Sequence, residues 1–178
     1  MSKTVLALLV CLVILTSFVL WFDHQYAVES GRYYNRDKGY SIKFPADWRR
    51  REAMMGTVVI AMAPLSRSTA KFCPNVSIVP EELTDKLSPT EYINNGLKMV
   101  RTITNDFRER ERIKLTIDRR EATGIVYTCR LGQLRLMYLQ YFLVNGHRGY
   151  VITCTSEPDQ FPKYRKQFEQ IAQSFRFE

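Results

Sequence analysis

The 178-residue sequence predicts an α/β fold of the α+β kind: a three-layer α/β/α sandwich on a mainly antiparallel central sheet, preceded by an N-terminal transmembrane helix. Three observations predict it. Residues 112–155 hold four β-rich runs separated by turn signals, two amphipathic helical patterns flank the sheet-forming part, and an uncharged run opens the chain. A hydrophobic fraction of 46% is enough for one ordinary core.

The opening run, VLALLVCLVILTSFVLWF at residues 5–22, contains no charge. Eighteen residues at about 1.5 Å each span about 27 Å, close to a hydrocarbon core of about 30 Å. Lys3 before it also suits a signal peptide, but Phe18, Leu20, Trp21 and Phe22 are bulky where a cleavage site needs small residues. An uncleaved signal anchor is the first reading and a cleaved signal the second. Lipidation at Cys11 is disfavoured by Val10 before it, and Cys11 reads as one more apolar residue of the span. Lys3 and the terminal amine place the body on the extracytoplasmic side, periplasmic or lumenal. Residues 23–35 are polar and aperiodic and read as a tether, so the globular body is expected over 36–178.

Within the body, Tyr40-Ser-Ile-Lys-Phe44 alternates and is stopped by Pro45, giving a first strand. Residues 58–62 and 76–79 give a second and a third, the latter ending at Pro80. Ser88-Pro-Thr-Glu91 is a capping box with proline at the first helical position. The helix it opens carries Tyr92, Ile93, Leu97, Val100, Ile103 and Phe107 on one stripe. Gly96 on that helix is either a mild defect or a point of close packing. Strands follow at 112–118, 125–131, 134–144 and 150–155. Gly132-Gln133 and Asn145-Gly146 supply hairpin turns between the last three. The aromatic stripe Phe161, Tyr164, Phe168, Ile171 and Phe175 then ends the chain as a second helix, its three-and-four spacing being that of core packing.

Register follows from the turns. If Leu131 pairs with Leu134 and Val144 with Gly149, Cys129 faces Leu136 and Cys154 faces Leu139. Because side chains alternate, the two cysteines then point to opposite faces. They also lie two strands apart, about 9.5 Å, beyond the roughly 7 Å reach of a bridge. Cys73 is left with Cys129 or Cys154 as a partner in an oxidising compartment, or as a free thiol. One face of the hairpins carries Ile125, Tyr127, Leu134, Leu136, Tyr138, Phe142 and Val151, the other Val126, Met137, Leu139, Tyr141, Leu143, Tyr150 and Ile152. A sheet apolar on both faces needs a helix on each.

The residues GYSIKFPADW at 39–48, NVSIV at 75–79, the helix at 89–107, YVIT at 150–153, and Phe161, Tyr164, Phe168, Ile171 and Ser174-Phe175 together resemble the PsbP-like family, which includes exported bacterial DcrB-like proteins. The resemblance covers about residues 37–177 and rests on the order and spacing of structural motifs. It implies an exported or membrane-attached, non-enzymatic accessory protein that binds or helps assemble a membrane or envelope complex. Metal binding in that family would need histidine and carboxylate ligands. This chain has only His24, in the tether, and His147, in a hairpin turn, so no metal site is carried over.

Chemistry read from the residues is sparse. Cys73 and His147 are the candidates for a thiol nucleophile pair, which requires contact and an orienting third group. Glu81, Glu82 and Asp85 lack the alternating ligands and glycine turn of a calcium loop and read as a solvated segment. No catalytic, cofactor-binding or metal-binding residues are assigned, and no cofactor. The formal charge of +8 is spread, with Arg49-Arg50-Arg51 after Trp48 and alternating Arg and Glu over 108–112. Nucleic acid is excluded as a partner by the exported address and by the lack of a basic-aromatic motif. A membrane through residues 5–22 and a protein complex are the expected partners. The alternative functions are a lipid- or small-ligand-binding domain and a small exported thiol enzyme or hydrolase.

Overall fold

The computed structural model describes residues 31–53, 58–64 and 72–178. The apolar run at 5–22, Cys11 and His24 lie outside the described residues. No helix among the described residues is long and apolar enough to cross a membrane.

The chain runs β1 (Gly31–Asn35), β2 (Tyr40–Phe44), β3 (Arg49–Ala53), β4 (Val58–Met62), β5 (Asn75–Glu82), α1 (Pro89–Ile103), β6 (Asn105–Ile117), β7 (Arg120–Leu131), β8 (Leu134–Asn145), β9 (Arg148–Ser156), α2 (Phe161–Gln173) and β10 (Arg176–Phe177). Seven strands form one antiparallel sheet in the order β3-β4-β5-β9-β8-β7-β6. A second sheet, β1-β2-β10, packs on one side of it.

The register expected from the turns is the one observed. Leu131 pairs with Leu134, Cys129 with Leu136, Val144 with Gly149 and Cys154 with Leu139. Gly132 and Gly146 take φ of 60° and 63° at the two turns. The second turn sits one residue later than expected, on Gly146-His147, because Asn145 still pairs with Arg148. A third hairpin turns on Asp118-Arg119, at φ of 46° and 64°, without any glycine.

α1 begins as the sequence requires. The Ser88 Oγ accepts from the Glu91 amide at 3.2 Å, and the Glu91 carboxylate accepts from the Ser88 amide at 2.9 Å. It buries Tyr92, Ile93, Gly96, Leu97 and Val100. Gly96 is a close-packing point: a Cβ there would lie 2.5 Å from the Phe142 ring. The helix stops short of the expected 107, because Thr104 is extended and β6 begins at Asn105. Phe107 therefore belongs to a strand, yet still packs beside α1 with its ring 5.0 Å from that of Tyr127.

Four further readings are corrected. Gly31–Asn35, expected as tether, is β1 and pairs with β2 along its length. Tyr33 and Asn35 point inward while Arg32 and Tyr34 point out, an alternation carried by too few apolar residues to stand out. Tyr40–Phe44 joins the small sheet rather than the large one, and the C-terminal Arg176–Phe177, expected to end the chain after its helix, closes that sheet as β10. β5 continues through Pro80 to Glu82, since its pairing with β4 reaches only Ile78 and proline is tolerated where one side of a strand is open.

One apolar cluster lies between the sheet and α1. The other lies beneath α2 and the small sheet, where Trp48, Tyr40, Phe168 and Phe175 are wholly buried and the Tyr40 and Phe175 rings stack at 5.6 Å. Burial of these large rings is one of the major favourable contributions to folding.

Candidate functional site

Cys73 and His147 do not meet. Asn75, two residues after Cys73, pairs with Thr155, while Glu82 at the other end of β5 pairs with Arg148 beside His147. Seven strand steps place the two ends roughly 23 Å apart. The Cys73 thiol donates to the Ala63 carbonyl at 3.1 Å, and burial pushes its pKa up to about 11 against a smaller opposing pull from Arg49. A thiol held protonated is a poor nucleophile. His147 Nδ1 lies 3.3 Å from the Leu83 carbonyl, and the Leu83 amide donates to the His147 carbonyl at 2.7 Å, so this histidine pins the segment after β5 to the hairpin turn.

Cys73, Cys129 and Cys154 are all free thiols. Cys129 sits in the α1 cluster and Cys154 in the α2 cluster, on opposite faces as the register demands. Burial raises the Cys129 thiol to about 11 and raises Cys154 well above its ordinary value. Neither bridge open to Cys73 in the sequence is formed.

Glu81 and Glu82, expected in a solvated loop, are strand residues with opposite fates. Glu82 points out and pairs with Arg148 at 3.2 Å and Lys38 at 3.7 Å. Glu81 points toward α1 and is only 7% exposed. It accepts from the Tyr92 hydroxyl at 3.2 Å through Oε2, while its buried Oε1 has no protein partner. Burial raises its pKa to about 7, with the Tyr92 bond offsetting part of the rise. Tyr92 reaches it by lying across Gly149, where a Cβ would come within 2.5 Å of the ring. Among the described residues no group of three or more His, Cys, Asp or Glu side chains is placed to hold a metal.

The sequence missed a polar seam on the α1 face. Ser77, Thr153 and Gln140 occupy one row across β5, β9 and β8, and Asn75, Thr155 and Tyr138 the next. All six are buried. Tyr127 donates to Gln140 Oε1 at 3.1 Å, and Gln140 Nε2 donates to Thr153 Oγ1 at 3.0 Å. The hydroxyls of Ser77, Thr155 and Tyr138 and the Asn75 Oδ1 have no protein partner. The only sequence signal was the alternation of Asn75, Ser77, Thr153 and Thr155 with apolar residues.

The outer surfaces are charged at both edges of the large sheet. β6 alternates Arg and Glu, and Glu111 accepts a bidentate pair of bonds from Arg165 of α2 at 2.8 and 2.9 Å. β3 carries Arg49, Arg50 and Arg51, and the Arg50 guanidinium lies 5.0 Å above the Tyr33 ring, which brings this edge beside β1. Charged edges of this kind resist strand-to-strand association.

No curated protein matches the chain. Solved structures do, with identities that show the fold alone. The solution structure of cyanobacterial PsbP (CyanoP) from Synechocystis sp. PCC 6803 matches at TM-score 0.64 and 14% identity, covering 90% of this chain and 99% of its own. PA94 from Pseudomonas aeruginosa, a putative regulator of unknown function, matches at 0.61 and 17% identity, covering 81% and 94%. LpqN from Mycobacterium tuberculosis, involved in cell envelope biogenesis, matches at 0.60 and 12% identity, covering 86% and 91%. The PsbP family itself matches residues 29–177, nearly the whole described body including β1 and β10, and on that match the chain belongs to the PsbP family.

Proposed function

We propose that this chain is a non-enzymatic accessory module, anchored through residues 5–22 with its body on the extracytoplasmic side, that binds and stabilises a membrane or envelope protein complex. The observation that carries the reading is the PsbP family match over residues 29–177. The involvement of the similarly folded LpqN in cell envelope biogenesis points the same way. The chemistry is consistent with it. Among the described residues, Cys129 and Cys154 are buried, and Cys73, which is partly exposed, has its pKa raised by desolvation and lies far along β5 from His147. The carboxylate with the largest upward shift, Glu81, is enclosed between β5 and α1.

Crosslinking of the full chain in its native membranes, followed by mass spectrometry, tests the proposal. The expected result is a reproducible set of membrane or envelope proteins joined to the body. Recovery of the chain in the cytosolic fraction would remove the anchored reading. A hydrolytic or thiol-exchange activity lost in Cys73→Ala or His147→Ala, at unchanged melting temperature, would replace the accessory reading with an enzymatic one.

A further inference from the structure

We propose that the seat of the first two turns of α1 on β5 and β9 is a proton-operated latch: Glu81 holds the seat closed while its carboxyl carries a proton and releases it on ionising. The inference is independent of the anchored accessory reading, since it rests on the folded body alone.

Three elements meet at this carboxyl. Glu81 pairs with Gly149 of β9, and Tyr92 of α1 lies across that glycine, where a Cβ would come within 2.5 Å of the ring. So placed, the Tyr92 hydroxyl donates to Glu81 Oε2 at 3.2 Å, while Oε1 is enclosed without a protein partner. An ionised carboxylate needs donors or water at both oxygens, and the neutral acid loses less by their absence. The closed seat therefore suits the acid form, and ionisation favours an arrangement in which water reaches Oε1. Burial brings the pKa to about 7 against the smaller pull of the Tyr92 bond, so the exchange falls near neutrality.

The helix start is the part free to lift. Of residues 89–95 only Tyr92 and Ile93 are buried, and the Ser88–Glu91 capping box is local, so it travels with the helix. From Gly96 onward α1 is seated by apolar contact, with Gly96 against the Phe142 ring. Leu83 is tied to the hairpin turn by its amide bond to the His147 carbonyl, which leaves residues 84–88, mostly exposed, to bend. β5 is held from below by its pairing with β9, so Glu81 stays with the sheet. The other titratable groups at this end face elsewhere. Glu82 is on the far side of β5 with Arg148 and Lys38, and Glu91 is taken by the Ser88 cap. Asp85 and Lys86 are exposed in the loop, and His147 Nδ1 lies 3.3 Å from the Leu83 carbonyl.

Amide hydrogen exchange of the full chain between pH 5 and 8, corrected for the intrinsic pH dependence of exchange, tests the latch. The lifted state has the ordinary carboxyl pKa of 4.5 and the closed state about 7, so the latch is tight at pH 5 and loosens as pH rises. Residues 93–97 should lose protection by roughly 50-fold over this range, through an opening that low concentrations of denaturant leave unchanged. Glu81→Gln should make their protection the same at pH 5 and pH 8. Tyr92→Phe keeps the ring over Gly149 but removes the bond that favours the ionised form, so the loss should move to higher pH. Wild-type protection that does not change with pH overturns the latch. A loss that grows steeply with denaturant and is shared by residues 165–171 of α2 also overturns it, since Glu81 then acts on global unfolding only. An unchanged pH response in Glu81→Gln assigns the effect to another group. Titration of the Glu81 carboxyl carbon by NMR needs no variant: a midpoint near 4.5 removes the proposal, and one near 7 upholds its premise.

Discussion

The two faces of the seven-stranded sheet are built on different principles. Beneath α2, the rows across β4, β5, β9 and β8 read Ala61, Val76, Cys154, Leu139 and then Val59, Ile78, Ile152, Tyr141, every member apolar or aromatic. Beneath α1, the neighbouring rows carry Asn75, Thr155, Tyr138 and Ser77, Thr153, Gln140. The first face is stabilised mainly by burial and packing, so its members should be felt in proportion to size. In the second, burial is set against the cost of taking polar atoms out of water, and the balance depends on each partner.

The largest expected effect lies on the apolar face. Phe168 is fully buried, with Trp48 6.2 Å, Tyr164 5.9 Å and Phe161 6.1 Å from its ring centre. Phe168→Ala should cost about 3–5 kcal/mol, read as a drop in melting temperature or denaturant midpoint. A loss under about 1 kcal/mol would mean that the aromatic set is not tightly packed and would erase the contrast between the faces.

Next comes the buried carboxylate on the polar face. Burial raises the folded-state pKa of Glu81 to about 7, above its ordinary 4.5. The folded protein then holds a proton that the unfolded chain has lost, so stability falls as pH rises from about 4.5 to about 7 and is flat above. The difference between wild type and Glu81→Gln isolates this group from the other carboxylates. In denaturant titrations at several pH values, the glutamine variant should gain on wild type across that window by roughly 3 kcal/mol. A constant difference between pH 4 and 8 would place Glu81 in water.

The sheet's polarity shows what sequence does and does not disclose. The hairpin register was legible because Gly132-Gln133 and the turn after Asn145 fix which residues face each other, and alternation does the rest. The α1 start was legible because a capping box is local chemistry. Asp118-Arg119 hid its turn by taking positive φ without glycine, held by the strands on either side. The charged stretch Asn105–Glu111 hid an edge strand because neither of its faces is fully buried. β1 and β10 are too short to show a period, and tertiary pairing with β2 makes them strands. Of the candidate chemistry, sequence located Cys73, His147 and Glu81 but not their surroundings. Burial of Glu81 depends on Tyr92, eleven residues on, lying over a glycine from a third element.

Gln140 stands at the middle of the polar face. It accepts from Tyr127 and donates to Thr153, so Gln140→Ala opens a cavity and strips partners from two buried hydroxyls. The expected loss is about 2 kcal/mol, measured by denaturant midpoint. Gln140→Met, which keeps the volume but not the bonds, should lose nearly as much, because the cost lies in the unpaired groups. Recovery of full stability by methionine would show packing to be dominant here, as it is on the α2 face.

The smallest effect carries the sharpest comparison. Ser77 and Thr155 are buried at 1% and 0% exposure, and neither hydroxyl has a protein partner. Removing such a group removes its desolvation cost, so Ser77→Ala and the isosteric Thr155→Val should be neutral or stabilise by up to about 1 kcal/mol. The opposite face offers the control: Val76, buried in the adjacent position of β5, gains a hydroxyl without a partner in Val76→Thr and should lose about 1–3 kcal/mol. Valine and threonine have nearly the same shape, so Thr155→Val and Val76→Thr exchange only polarity at two buried sites one strand apart. Opposite signs in the two measurements follow if the unpartnered hydroxyls of the seam add nothing to stability. Equal losses would mean that Thr155 is satisfied by bonds that the apolar face has no means to supply.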